Sequence, residues 1–386
     1  MNFTNEHHQL FETTKRFVEE ELNPHVSEWE RAGIWPAHEV LRKMGGLGLL
    51  GINKPVEDGG LGLDYSYQVA FAEALGHCAC GALPMAIGIQ TDMATPALAR
   101  FGSDYVRKTY LRPAIAGEQV AAIAITEPGA GSDVAAIKTT ARRDGDDYVI
   151  SGTKTWVTGG AQADWACTLV NTGGDERHGN KSLIVVPLDA AGVTRDQRLE
   201  KLGQHASDTT VIHFNDVRVP VRNRIGDEGK GFFYQMHQFQ EERLFLSASI
   251  LVVLDRIVAD TVTYTRDRTA FGQAIIDNQV VQFRLSELKT EIEAARALVY
   301  RATQLHVGGE DASLLCSMAK LKTARLAREV TDSCLQYWGA QGYMWESPVA
   351  RFYRDLRLQS IGGGADEIML GIIAKRLGYS GRRRAA

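Results

Sequence analysis

The strongest constraint on the fold is a change of hydrophobic pattern in the middle of the chain. Up to about residue 120, apolar residues recur at helical spacing, as Leu10, Phe11, Val18 and Leu22 do. Between residues 121 and 220, short runs rich in β-branched and aromatic residues alternate with Gly and Asp clusters, which is typical of strands and turns. Helical patterns then return at 232–265, 278–306, 311–338 and 366–377.

This order predicts an α+β protein with an N-terminal helical domain, a central antiparallel β domain and a C-terminal four-helix bundle. The predicted domain limits are 1–120, 121–226 and 227–386. The strands are expected around 148–150, 155–158, 165–170, 182–186 and 209–214.

Composition narrows the functional classes. The 386 residues are 44% hydrophobic and carry a formal net charge of −4, which favours a large core and gives no support for nucleic-acid binding. The start of the chain is polar, and no run reaches the roughly 18 apolar residues of a membrane span. Five scattered cysteines form no zinc pattern, so we expect no metal, free thiols and a cytoplasmic location. The basic tail Arg382–Arg384 is expected to be solvated.

A glycine-rich loop covers residues 124–133, with the sequence AITEPGAGSD. Its proline and glycines favour a tight turn whose exposed N–H groups and hydroxyls suit a polar cofactor. It is neither a P-loop nor a dinucleotide fingerprint. The alternative is a plain turn between two domains.

A charged stretch lies at Phe239–Phe245, where Gln240-Glu241-Glu242-Arg243 stands between apolar residues. One interpretation is a solvated helix start whose acids complement the helix dipole. The other makes one glutamate a catalytic base and Arg243 an anchor for an anionic substrate. The stretch alone does not separate the two glutamates.

Four blocks, taken in order, identify a family. They are the loop at 124–133, Lys154–Gly160 (KTWVTGG), Arg268–Gln273 (RTAFGQ) and Gln336–Tyr343 (QYWGAQGY). Together with the α–β–α order, they resemble the acyl-CoA dehydrogenase family over essentially the whole chain. Ala340 departs from the glycine that is common there.

The resemblance implies FAD as cofactor, an acyl-CoA substrate, an electron-transfer flavoprotein as acceptor and a homotetramer built from dimers. Without it, Trp156 and Thr158 would pass for an ordinary strand pair and Arg268 for a surface charge. It assigns substrate contacts to Ser132, Gln240 and Arg243. The cofactor contacts that it implies are Ile123, Ile125, Thr126, Gly131, Ser132, Trp156, Thr158, Arg268, Phe271, Gln279, Gln336, Gly339, Ala340, Ala365 and Glu367.

The resemblance also locates the base. Many members carry the catalytic glutamate in a C-terminal loop at the position of Gly363, so the usual base is missing here. A subset, including isovaleryl- and long-chain-type enzymes, places it on a Glu-Arg-Leu helix, which Glu242-Arg243-Leu244 matches. Glu241 is the competing candidate, about 100° around the helix. Gly363 is expected to offer its backbone N–H to the thioester carbonyl.

The segments at 23–26, 62–67 and 89–96 resemble citronellyl-CoA dehydrogenase-type members, which act on branched acyl chains. The expected reaction is α,β-dehydrogenation of a branched, medium or long acyl-CoA to the trans-2-enoyl-CoA, with Glu242 as base and the flavin N5 as hydride acceptor. Two alternatives stay open. One is a flavin oxidase or monooxygenase on the same scaffold, and the other is a catalytically silent acyl-CoA-binding protein.

Overall fold

A computed structural model describes residues 3–174 and 176–379, so the basic tail lies outside the described residues. The N-terminal region is helical, as predicted. Its α-helices are α1 Asn5–Phe17, α2 Val26–Ala32, α3 Ala37–Gly46, α4 Tyr65–Leu75, α5 Ala82–Gly88, α6 Pro96–Phe101, α7 Asp104–Val106 and α8 Arg112–Ile115. The Asp64 side chain begins α4 by accepting a 2.8 Å hydrogen bond from Ser66 N–H, the usual role of an acidic N-cap.

Tighter or wider helical turns join several of these helices. Three stretches are π-helical, and the longest of them, Ile89–Ala94, carries α5 into α6. Two 3₁₀ turns lie at Asn23–His25 and Val56–Asp58. The other π-helical stretches are Val18–Leu22 and Arg107–Leu111.

The central region is one sheet. Its strands are β1 Ala121–Ala124, β2 Thr140–Asp144, β3 Asp147–Thr158, β4 Trp165–Asn171, β5 Lys181–Pro187, β6 Val193–Arg195, β7 Thr209–Pro220 and β8 Arg224–Ile225. The spatial order is β6-β7-β3-β2-β4-β5-β8, with β1 beside β4. Short 3₁₀ turns lie at Val134–Ala136 and Val221–Asn223.

The expected antiparallel sheet needs one correction. β1 pairs with β4 in parallel, from Ala121 opposite Trp165 to Ala124 opposite Thr168, and β2 meets the end of β4 in parallel. Parallel neighbours require a crossover of a dozen or more residues, and the chain between β1 and β4 contains β2 and β3. The alternation of residues within a strand does not show which strand it pairs with or in which direction, so the sequence could not predict the parallel pairs.

The C-terminal region is a helical bundle, as predicted. Its helices are α9 Gly231–Ser249, α10 Leu251–Asp267, α11 Gln279–Val307, α12 Ser313–Gly342, α13 Pro348–Leu356 and α14 Asp366–Arg376. Helix α12 packs against α9, α10 and α11, and is broken at Gly339, where φ is 55° and ψ is −138°. A small hairpin, β9 Thr269–Ala270 and β10 Gln273–Ala274, precedes α11, and 3₁₀ turns lie at Ile275–Asp277 and Arg357–Ser360.

One large apolar cluster runs through the N-terminal helices, one face of the sheet and the bundle, and a second joins α6 and α8 to the sheet. Helix α9 lies inside this core, against α4, α12, β5 and the Ile89–Ala94 stretch. Within residues 3–174 and 176–379, no helix is both long and apolar enough to cross a bilayer.

The placement of α9 depends on a close approach at Gly88. A Cβ built on Gly88 would lie 2.7 Å from Cζ of Phe245 on α9, and closer still to the ring edge. We expect Gly88→Ala to lower the free energy of unfolding by about 1–3 kcal/mol, the usual cost of overpacking a core. Chemical denaturation of the purified protein measures this change.

The matched control is Gly371→Ala on the exposed face of α14, where an added Cβ meets nothing within 4 Å. Because alanine is the better helix former, this variant should be neutral or more stable by up to about 1 kcal/mol. Equal effects of the two substitutions would contradict the packing argument.

Candidate active site

Helix α9 carries its charged stretch into the protein interior. Glu241, Glu242 and Arg243 are only 1%, 7% and 7% exposed. All the residues from there to Ser249 are buried as well, because α9 is covered on several sides. The interpretation as a solvated helix start is therefore wrong, and each of these charges needs a partner or a function.

Glu241 has protein partners. Arg100 donates a hydrogen bond to its Oε1, and His306 Nε2 lies 3.2 Å from the same atom. Burial favours a raised pKa for Glu241, but the bond from His306 and the positive charges of Arg100 and Lys54 lower the pKa to about 2. Glu241 is thus held ionised in a structural ion cluster.

The backbone beside Glu241 is also fixed. The Tyr65 Oη atom lies 2.7 Å from the Glu241 carbonyl oxygen and 2.7 Å from Asp92 Oδ1. Gln68 Nε2 donates to the other oxygen of Asp92 at 2.6 Å. Burial raises the pKa of Asp92 to about 6. These contacts tie α4 and the Ile89–Ala94 stretch to the turn of α9 that carries both glutamates.

Glu242 is held differently. It has no ion pair among the residues that the structure describes, and burial raises the pKa of its carboxyl to about 7, although Arg243 and Lys320 act to lower it and Asp92 raises it further. The surroundings thus shift the pKa values of the adjacent carboxyls Glu241 and Glu242 in opposite directions. Such a pattern is typical of sites in which one carboxyl exchanges protons and the other stays ionised. Glu242 is the one poised to exchange a proton near neutral pH.

Gly363 lies next to this carboxylate. A Cβ built on Gly363 would be 3.3 Å from Glu242 Oε1 and would overlap the Leu246 side chain. Gly363 also has φ +64°, a left-handed conformation that favours glycine. The two positions that the sequence linked as alternative sites for a base are therefore neighbours in space, although they lie on different elements.

The same turn of α9 presents unpaired polar atoms. Among the described residues, Nε of Arg243 and Oε1 of Gln240 are buried with no hydrogen-bond partner. Residues three apart lie on one helix face, so these two groups point to the same side. Buried polar groups without partners are costly, so these two atoms are available to a ligand that carries hydrogen-bonding groups.

The glycine-rich loop is braced from the sheet. Lys154 on β3 is fully buried, and its Nζ donates at 2.9 Å to the Ile125 carbonyl and to Oε1 of Glu127. Burial lowers the pKa of Lys154 to about 8, while the Glu127 charge opposes that change. Glu127 also accepts the N–H groups of Lys138 and Thr139 at 2.6 and 2.9 Å. The sequence analysis did not predict this Lys154–Glu127 contact. A lysine and a glutamate inside apolar or strand-like runs were a sign that the two charges are buried and paired.

The loop and β3 meet where the cofactor was expected. Thr155 N–H donates to the Thr126 carbonyl at 2.9 Å, so the loop runs beside Trp156. Trp156 sits at an irregularity of β3 with φ 55° and is 62% exposed, which leaves an indole face open. Thr158 is half-buried. This arrangement fits a flavin ring, because a flat aromatic wall and hydrogen-bonding groups of a rigid loop come together.

The remaining residues of the loop and of the C-terminal turn differ in exposure. Ile123 on β1 is half-buried and Ile125 is buried, whereas Gly131 and Ser132 are exposed at the loop tip. Ala365 is the N-cap of α14, and Glu367 is exposed in its first turn.

The other expected cofactor residues form a second group on the bundle. Arg268, Phe271 and Gln279 are exposed around the β9–β10 hairpin and the start of α11. The helix break at Gly339 lies nearby, because Tyr264 stacks on Trp338 at 4.4 Å and Tyr337 Oη lies 3.5 Å from the Val280 carbonyl oxygen. Gln336, Gly339 and Ala340 are exposed there.

Other features of the described residues bear on the site class. No group of three or more His, Cys, Asp or Glu side chains within residues 3–174 and 176–379 is arranged to hold a metal ion. All five cysteines are buried free thiols.

Comparisons with known proteins identify the family of the whole chain. Three domain profiles match, described as acyl-CoA dehydrogenase N-terminal domain at residues 4–118, middle domain at 122–217 and C-terminal domain at 229–378. The long-chain specific acyl-CoA dehydrogenase of Sus scrofa is 37% identical over 97% of this chain and 87% of its own. The human short-chain specific enzyme is 33% identical over 96% and 90%. A solved acyl-CoA dehydrogenase from Geobacillus kaustophilus superposes with a TM-score of 0.93 at 38% identity, covering 97% of this chain and 98% of that one.

The chain therefore belongs to the acyl-CoA dehydrogenase family. This assignment confirms the predicted fold class and the prediction of an oxidoreductase that acts on the CH–CH bond of an acyl-CoA. FAD is the cofactor of this family, and the braced loop and the open face of Trp156 fit it.

Gly363 provides a test of the site geometry. Gly363→Ala places a methyl group in a left-handed conformation and against Leu246, so we expect a loss of about 1–2 kcal/mol in the free energy of unfolding. Gly362→Ala is the matched control, because its nearest contact is an ordinary 3.6 Å and its φ is not left-handed. Denaturant titration compares the two; a Gly362→Ala variant that loses as much stability would contradict the geometry.

Proposed function

We propose that Glu242 is the base of an FAD-dependent acyl-CoA dehydrogenase. The observation that carries this proposal is the contact between two elements: the Glu242 carboxylate lies 3.3 Å from where a side chain at position 363 would begin. A carboxylate on α9 thus occupies the space beside the loop from which related enzymes supply theirs. Its raised pKa and its lack of an ion partner within residues 3–174 and 176–379 support the same role.

The proposed reaction removes two hydrogens from the acyl chain. The α-proton passes to a carboxylate oxygen of Glu242, and the electron pair left on the α-carbon forms the new double bond as the β-hydrogen departs with its own pair. The chemistry that FAD supplies when bound is acceptance of that β-hydrogen as hydride at N5. Gly363 N–H donates to the thioester carbonyl, where negative charge develops. The product is the trans-2-enoyl-CoA.

The chain's other residues orient the substrate. Arg243 and Gln240 bind the coenzyme A portion through the atoms that lack a hydrogen-bond partner among the described residues. Ser132, at the exposed tip of the braced loop, contacts substrate and flavin together. Burial of the base keeps water away from the proton that it removes.

We further propose a branched, citronellyl-like or a medium to long acyl chain. The segments at 23–26, 62–67 and 89–96 resemble citronellyl-CoA dehydrogenase-type members, which supports a branched chain. Both long-chain and short-chain enzymes are similar to this protein, so family similarity does not set the length. The electrons would then pass to an electron-transfer flavoprotein. A cytoplasmic location and a role in fatty acid or terpenoid breakdown belong to the same proposal.

The proposed assembly is a homotetramer, a dimer of dimers. Phe271 is fully exposed, and Val280, Phe283 and Tyr343 are largely exposed on the same domain. Apolar surface of this kind is usually covered by another chain. A second copy would bring Arg268, Phe271, Gln279 and the break at Gly339 to the cofactor of its neighbour.

The base assignment is tested with two glutamine variants. Glu242→Gln should keep its FAD and its fold but lose the reduction of FAD by acyl-CoA by at least about a hundredfold, since general-base catalysis contributes that much. Glu241→Gln should instead lose about 1–3 kcal/mol of stability, because a neutral amide replaces the negative charge that pairs with Arg100 and lies beside His306. Anaerobic stopped-flow bleaching and denaturant titration measure the two effects.

The reverse result would contradict the assignment of Glu242 as the base. If Glu242→Gln bleaches at a near-normal rate while Glu241→Gln does not, the roles of the neighbours are exchanged. Should the unaltered protein bind acyl-CoA without any bleaching, it is a silent acyl-CoA-binding protein instead.

The acyl chain is tested with a panel of straight and branched acyl-CoA thioesters under anaerobic conditions. We expect the fastest bleaching with branched or medium to long chains. The same substrates are then assayed in air for oxygen consumption and, separately, with an artificial electron acceptor. A dehydrogenase reduces the acceptor with little oxygen uptake, whereas rapid oxygen uptake would identify a flavin oxidase or monooxygenase.

A further inference from the structure

Lys320 on α12 is a buried charge with an unusual set of partners. It is 1% exposed, and among the described residues it forms no ion pair with a carboxylate. Its Nζ donates instead to two backbone carbonyls, that of Gln359 at 2.7 Å and that of Gly364. Lysines are rarely buried unless they are paired, so a buried ammonium that binds only backbone calls for a functional explanation.

The two carbonyls lie on either side of Gly363. Gln359 belongs to the 3₁₀ turn Arg357–Ser360, and Gly364 directly precedes the N-cap of α14. One ammonium group therefore closes the short loop that carries Gly363. Gly363 has φ +64° and Gly364 has φ +95°, so the loop adopts a backbone conformation that residues other than glycine rarely take. Removing the ammonium would free two peptide groups to rotate about these glycines.

Lys320 also lies near the base, because it binds the Gly364 carbonyl, and the neighbouring Gly363 adjoins the Glu242 carboxylate. The charged groups that act on Lys320 are Asp366 on α14 and Glu242 and Arg243 on α9. Asp366 has Arg325 and Arg328 at 3.4 and 3.5 Å, whereas Glu242 has no ion pair within the described part of the chain. The charges of Arg243 and Asp92 act on Glu242 as well. Lys320 is thus a cation that α12 contributes near Glu242.

We propose that Lys320 is a positioning residue of the dehydrogenation site, which fixes the Gly363 N–H toward the thioester carbonyl and places a positive charge beside Glu242. This inference rests on the function proposed above. Lys320 exchanges no proton with the substrate and forms no bond to it. It fixes the backbone of the loop at 359–364, and its positive charge favours the ionised form of Glu242. One side chain therefore affects both proton removal and polarisation of the carbonyl.

The test separates α-proton removal from hydride transfer. The probe is 3-thiaoctanoyl-CoA, whose sulfur replaces the β-carbon: the enzyme can take its α-proton, but no β-hydrogen is available. The resulting enolate beside oxidised FAD gives a long-wavelength charge-transfer band, and titrating that band with pH reports the base and the carbonyl donor together. The variants are Lys320→Met, which removes charge and donors at similar length, and Lys322→Met as control, a half-buried lysine on the same helix paired with Glu291.

Lys320→Met should retain FAD yet show a charge-transfer band at pH 7 that is weaker by about tenfold, with its pH midpoint raised by about one pH unit, because a cation that favours ionised Glu242 has been removed. Lys322→Met should match the unaltered protein. An unchanged band and midpoint in Lys320→Met would overturn the proposal.

If Lys320→Met fails to fold, Lys320→Gln is used instead, because its amide keeps one donor for a carbonyl but carries no charge. The intensity of the charge-transfer band and its pH midpoint are then measured in that variant. An unaltered midpoint in that variant counts equally against the proposal. Failure of the base assignment has a separate signature: the band would be absent from the unaltered protein, or would persist in Glu242→Gln.

Discussion

The structure depends on the burial of helix α9, because its buried charges need partners inside the protein. Glu241 pairs with Arg100 and His306, which lie on two other helices and also fix the rotation of α9 about its axis. With that rotation fixed, the next residue is turned about 100° away, toward Gly363. One ion cluster therefore positions the neighbouring carboxylate of Glu242, which has no ion partner in the part of the chain that the structure describes.

The overall architecture was predictable because it follows from local periodicity. The long helices α11 and α12 and the strands β4 and β5 lie close to the segments where the sequence pattern placed them. The single helix expected at 232–265 is two, α9 and α10, because the chain leaves helical hydrogen bonding at Ile250. Helices α2, α5 and α13 and the short strands β1, β2, β6, β8, β9 and β10 were not predicted. Elements this short carry too few residues for a period to show.

The candidate site was predictable only where a motif carried it. Family resemblance selected Glu242 over Glu241, and the structure adds a physical difference that no spacing rule contains: opposite pKa shifts for adjacent carboxylates. Two buried lysines that bind the loops of the candidate site, Lys154 and Lys320, were not predicted from the sequence. Their partners are 27 to 44 residues away in sequence and are mostly backbone carbonyls, which any residue type provides. The domain limits after residues 120 and 226 and the roles of individual site residues stay predictions.

The packing of Leu246 against Gly363 also limits how this chain can change. A carboxylate side chain at position 363 would need a smaller residue at 246, a left-handed backbone at a non-glycine residue and a different neighbour than Glu242. No single substitution meets all three conditions. With Glu242 as the proposed base, a base in the C-terminal loop would therefore require several coordinated changes, so we expect the position of the base and the identity of residue 246 to change together.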